Sequence, residues 1–130
     1  MGYESRIYIV RKSNQYDPDI GKVWAEVLMA FNLGKVTYDL EDWYKKQEPT
    51  DCFIYKDDGN TVVLEDEYGD PLREMDLIDC YNAISDEIDR RISHGADYTI
   101  ERVLIDGVLD ILMDRYAFRS SRVVCLHYGY

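Results

Sequence analysis

Three aspartates, Asp106, Asp110 and Asp114, recur at i, i+4 and i+8, so they share one face of any helix that contains them. Like charges at that spacing repel by about a few tenths of a kcal/mol per pair, so the stripe calls for a reason. If the preceding helix folds back antiparallel, Asp76 and Asp79 at its start come near Asp110 and Asp114. Oxygen donors of that kind would suit Mg²⁺ or Ca²⁺. The competing reading, a solvated helix face partly offset by Arg102 and Arg115, needs no ion and is the one adopted. Cys125 and His127 share a strand face and could join Cys52 or Cys80 around zinc, but a CxH spacing lies outside the usual ligand patterns. Cysteine in an apolar run reads as core packing. His94, in a last helical turn, reads as a helix-end cation. Neither histidine stands in a nucleophile context, and no glycine-rich phosphate loop occurs. No metal, cofactor or catalytic residue is assigned, and the chain is read as non-enzymatic, with a metal-dependent enzyme built on Asp76, Asp79, Asp110 and Asp114 as an alternative.

The acidic stretch EDEYGDPLREMDLID carries the other candidate site. It places Glu65, Asp66, Glu67, Asp70, Glu74, Asp76 and Asp79 within fifteen residues, opposed by Arg73 alone. Residues 51–89 hold 13 acidic and 2 basic residues, which leaves 13 of each elsewhere, so the net charge of −11 resides in this segment. Such a balance argues against direct nucleic-acid binding through a general basic surface. It fits either solubility or a negative face that docks on a basic protein surface, in the place of nucleic acid. Asp86 with Arg90 and Glu87 with Arg91 are favourable i, i+4 pairs that neutralise part of the excess. Arg115, Arg119 and Arg122, with Tyr116, Tyr128 and Tyr130, mark a second surface suited to complementing a helix end, to binding an anion or to self-association. Twelve tyrosines supply contact area with a polar tip, so a homodimer or immunity-type protein with a tyrosine-rich apolar surface is the alternative.

These residues are positioned by a short series of elements. The run SRIYIVRK, residues 5–12, predicts a strand buried on both faces, followed by a loop at NQYDPDIG. Residues 22–33 fit both periods; a strand is preferred, although Asp17 and Pro18 would suit a helix start. Residues 39–46 read as a short helix. Asp58-Gly59 between two β-rich runs predicts a hairpin with strands near 52–56 and 61–66. Asp76 then caps a helix with Leu77, Ile78, Tyr81, Ile84, Ile88 and Ile92 on one face, stopped at Gly95. A second helix runs from Thr99 to about Phe118 with Ile100, Val103, Leu104, Val108, Ile111 and Leu112 inward. Ile105, Leu109 and Met113 widen its apolar surface, so it is expected to be central, with Gly107 admitting a close neighbour. Residues 122–128 form a continuous β-rich run suited to an interior strand beside the first.

The expectation is therefore a single α+β domain over residues 1–130, a mostly antiparallel sheet of about five strands against a two-helix hairpin, closed by a C-terminal strand. No apolar stretch approaches the roughly 18 to 20 residues of a bilayer span, and the N-terminus lacks a signal-peptide layout, so a cytoplasmic protein with no membrane partner is expected. Three cysteines without a CxxC pair imply reduced thiols. At its two ends, GYESRIYIV (residues 2–10) and VCLHYGY (residues 124–130), the chain resembles short phage and prophage proteins of Gram-positive bacteria that have no assigned function. That resemblance implies a compact accessory protein that binds and blocks a host protein in the host cytosol.

Overall fold

A computed structural model describes residues 4–114 and 122–130. The fold is α+β: among the described residues, a curled six-stranded mixed sheet carries four helices. The first strand, β1 (Ser5–Asp17), pairs antiparallel with β2 (Lys22–Phe31) on one side and with the last strand, β6 (Val123–Gly129), on the other. Helices α1 (Lys35–Tyr38) and α2 (Glu41–Lys45) follow β2. Next come β3 (Cys52–Tyr55), parallel to β2, and β4 (Val62–Val63). Strand β5 (Arg73–Asp76) borders β6 and leads directly into α3 (Leu77–Ser93), and α4 (Thr99–Leu112) returns beside α3. The strand order is β4-β3-β2-β1-β6-β5.

The two edges of the sheet curl toward each other. Bridges Pro49–Arg73 and Glu65–Pro71 and a hydrogen bond from Thr50 N–H to Leu72 C=O (2.8 Å) link the β3–β4 side to β5. Curling makes two cores. The concave side encloses Val10, Ala25, Cys52, Ile54, Leu72, Val124 and Leu126. The convex side packs Ile7, Ile9, Met75 and Cys125 against Leu77, Ile84 and Ile88 of α3 and Ile105 and Leu109 of α4. β6 is buried at every residue, which is why its sequence reads as a continuous apolar run, whereas β1 is fully buried only at Ser5, Ile7, Ile9 and Val10.

Local chemistry explains the turns. The Asp58 carboxylate accepts from Asn60 N–H, Thr61 N–H and Thr61 Oγ1, and these hydrogen bonds hold it down to about 2. Gly59 takes the left-handed φ of 73° that the turn requires. Asp76 caps α3 by accepting from Ile78 and Asp79 N–H.

Several expectations are corrected. The predicted loop at residues 14–21 is half strand: β1 continues to Asp17, whose carboxylate accepts from Asp19 and Ile20 N–H and so closes the turn at 18–21 instead of capping a helix. The sheet has six strands, with one parallel pairing; β5 went unseen because Arg-Glu-Met-Asp has one apolar residue, and its partner strand supplies the apolar contacts. Arg90 pairs with Glu87 at i, i+3 and not with Asp86, while Arg91 does pair with Glu87. The inward face of α4 is Ile105, Leu109 and Leu112, so the helix is not central. A Cβ built on Gly107 meets nothing within 4 Å, so no neighbour approaches it. The predicted end of that helix, with Arg115, Tyr116 and Arg119, lies outside the described residues.

Candidate functional site

The helix pair presents the most unusual surface. Tyr81 of α3 donates to Asp106 of α4 (2.8 Å), and the Arg102 guanidinium reaches Ser85 Oγ (2.6 Å), Asp106 (3.2 Å) and Asp89. Burial alone would lower the Arg102 guanidinium, but the two carboxylates outweigh it and hold it above its usual value. The bonds to Tyr81, Ser85 and Asp89 join α4 to α3. With Ile105, Leu109 and Leu112 turned to the sheet, the residues at i, i+3, i+4, i+7 and i+11 from Ile100 point to water. Ile100 is 73% exposed, Val103 65%, Leu104 53% and Ile111 58%, with exposed Gly107 among them. Isolated exposed apolar residues are ordinary, whereas a continuous row of four large ones on one helix marks a contact surface.

Two different borders flank the row. On the α3 side stand Asp106, Asp110 and Asp114; Asp106 is engaged by Arg102 and Tyr81, and Asp110 and Asp114 are exposed. On the other side, Leu104 and Val108 descend into an apolar groove of about 290 Å³ whose far wall is Met29, Phe31 and Leu33 at the end of β2. The surface is therefore an apolar stripe and groove with a carboxylate rim.

The structure distributes the predicted acidic site among different tasks. Asp66 is buried, and its carboxylate accepts from Tyr68, Asp70 and Gly129 N–H, which ties the 66–70 turn to β6. Glu67 accepts from Tyr128 Oη (2.6 Å). Glu74 accepts from Thr50 Oγ1 (2.7 Å) and pairs with Lys12 (2.6 Å), and Asp76 is the α3 cap. Glu65 and Asp79 are exposed and Asp70 is half-buried. Four of the seven acids thus stabilise the chain's own fold, which a run of acids in sequence does not reveal.

Neither of the metal arrangements weighed from the sequence forms among the described residues. Among the described residues, the donors that converge are Asp51, Cys52 and Glu74, all within 4.8 Å, and not Asp76, Asp79, Asp110 and Asp114. The Lys12 ammonium already neutralises that group, 2.8 Å from Asp51 and 2.6 Å from Glu74. Burial opposes its charge, but the two carboxylates raise it above the usual lysine value. Cys125 is buried against Cys80, and the contact with that thiol, together with burial, pushes it well up, which leaves it a protonated core residue. His127 is stacked on Tyr44 and bonded to Ser5. His94 does cap its helix: Nδ1 lies 2.8 Å from Arg90 C=O. No described helix is long and apolar enough to cross a membrane.

The chain matches no family model, and neither the curated proteins nor the solved structures give a match.

Proposed function

We propose that this is a non-enzymatic binding protein that docks on a basic segment of a partner protein, with α4 as the contact surface. The observation that carries the reading is the exposed row Ile100, Val103, Leu104 and Ile111, bordered by Asp110 and Asp114. A matching partner presents an amphipathic helix, apolar along one face and lined with Lys or Arg at its margin. Charge selects that partner over a second copy of this chain, because two molecules of net charge −11 repel while a cationic helix is attracted. The resemblance of the chain ends to phage and prophage proteins supplies the setting, an accessory or inhibitor protein acting on a host target. Relative to the acidic block at 65–79, the docking acids move to α4, since four of the seven block acids already serve the fold.

The test uses two helical peptides with the same leucine face, one with lysine margins and one with glutamate margins, titrated into the full chain. The lysine peptide is expected to bind and the glutamate peptide not. Leu104→Ser with Val103→Ser is expected to weaken binding about tenfold or more, and Asp110→Lys with Asp114→Lys to a similar extent. Reversal of Asp19 and Glu65, exposed acids elsewhere, is expected to leave it unchanged. Equal weakening by both charge reversals would return the site to undirected acidity. A concentration-dependent dimer abolished by Leu104→Ser would replace the partner with a second copy.

A further inference from the structure

A second surface, independent of α4, lies on the concave side of the sheet. Alternation along β1 turns Arg6, Tyr8, Val10 and Lys12 to that side, opposite Tyr128, Leu126 and Val124 of β6. Val10 enters the concave core and Lys12 closes one end through Asp51 and Glu74. At the other end, Arg6 and Tyr8 line a cleft of about 700 Å³ with a floor of Val27, Ala30 and Val63. That volume falls within the usual range for small-molecule sites, roughly 300 to 1,000 Å³. Tyr55, Tyr128 and Tyr130 complete an aromatic wall, and Lys56 stands at the rim.

Arg6 has a different setting from the ion-paired cations of the described residues. Arg11, Lys12, Lys45, Arg90, Arg91 and Arg102 each pair with a carboxylate. Arg6 is held by tyrosines: its guanidinium lies 4.8 Å from the centroid of the Tyr130 ring and donates to Tyr8 Oη at 3.3 Å. Three carboxylates also line the cleft: Glu67 accepts from Tyr128, Asp58 is tied into its own turn, and Asp57 is exposed. A guanidinium fixed on an aromatic face keeps a planar fork of donors, the geometry that recognises carboxylate or phosphate. Tyrosine faces beside it offer stacking to any planar ring.

We propose that this cleft binds a small planar ring bearing an anionic group, the ring against the tyrosines and the anion on Arg6 and Lys56. Two sources share that chemistry, a mononucleotide and an aromatic carboxylate. The test is calorimetric titration of the full chain with AMP, CMP, GMP and UMP, with 4-hydroxybenzoate, and with inorganic phosphate and phenol as the separate halves. Binding by a ring-anion compound at least about tenfold tighter than by either half is expected, and the compound that binds names the source. Arg6→Gln is expected to weaken it about tenfold, as is Tyr130→Ser, while Arg11→Gln on the opposite face leaves it unchanged, each variant checked for native circular dichroism. Absence of binding by every ring-anion compound, or undiminished binding by Arg6→Gln, would overturn the assignment.

Discussion

His127 stacks on Tyr44 with ring centroids 4.1 Å apart and a 20° angle between planes. The histidine is 5% exposed, and its Nε2 lies 3.0 Å from Ser5 Oγ, the residue that opens β1. One imidazole thereby joins the first strand, the last strand and α2 in the convex core.

Burial dominates the electrostatics of that imidazole. Desolvation, with the positive charges of Arg73 and Lys45 and against the attraction of Asp70, lowers it to about 4. Because the unfolded chain takes up this proton at about pH 6.5 and the folded chain only near pH 4, the unfolded state binds more protons between them. Stability is therefore full above about pH 6.5 and falls as the pH drops toward 4, by roughly 3 kcal/mol from this group. His127→Phe keeps the stack and removes the titration. Urea unfolding at pH 7 and pH 4.5 is expected to show a smaller acid loss in the variant than in the native chain. Equal acid losses in the two chains would mean that His127 takes up its proton equally readily in the folded and unfolded states.

Lys12 makes a different kind of prediction, since its ammonium stands where a cation is required. Lys12→Met leaves Asp51 and Glu74 facing each other beside the Cys52 thiol, and the loss of their counter-charge is expected to cost about 1–3 kcal/mol. Two carboxylates and a sulfur within reach of one another form a donor set that zinc accepts. Zn²⁺ is expected to raise the melting temperature of Lys12→Met by a few degrees and to leave the native chain unmoved, because a ligand selective for the folded state stabilises it. Adding Cys52→Ser should abolish the rise. A zinc response in the native chain equal to that of the variant would show that Lys12 does not fill the position.

Much of the architecture was legible where one residue's chemistry has a single structural use. Asp58-Gly59 and the Asp76 cap are of that kind, and so is the closing strand, whose burial on both faces leaves no alternation to misread. Residues 22–33 fit both periods, and the preferred strand forms over Lys22–Phe31. The orientation of α4 was not legible. Its apolar residues exceed one face, and Ile105, Leu109 and Leu112 make as good an inward set as Ile100, Leu104 and Ile111. In the observed rotation Arg102 bonds to Ser85 and Asp89 on α3, and partners on another helix are invisible to periodicity. The acidic block misled for a related reason. An aspartate that caps a helix, one that closes a turn and one that faces a partner look alike in sequence.

Gly107 offers a way to separate fold from function on α4. Its backbone is helical with negative φ, and a methyl group there meets no atom within 4 Å, so alanine fits without strain. Gly107→Ala is expected to stabilise the chain by about 0.5–1 kcal/mol, since alanine loses less backbone freedom on folding. A glycine midway along the row from Ile100 to Ile111 has a use if a partner helix crosses α4 there and brings its backbone close. The same substitution is then expected to weaken binding of the lysine-margined peptide several-fold while raising the urea midpoint. Stabilisation with undiminished binding would place the partner's closest approach elsewhere, along Leu104 and the groove beside β2.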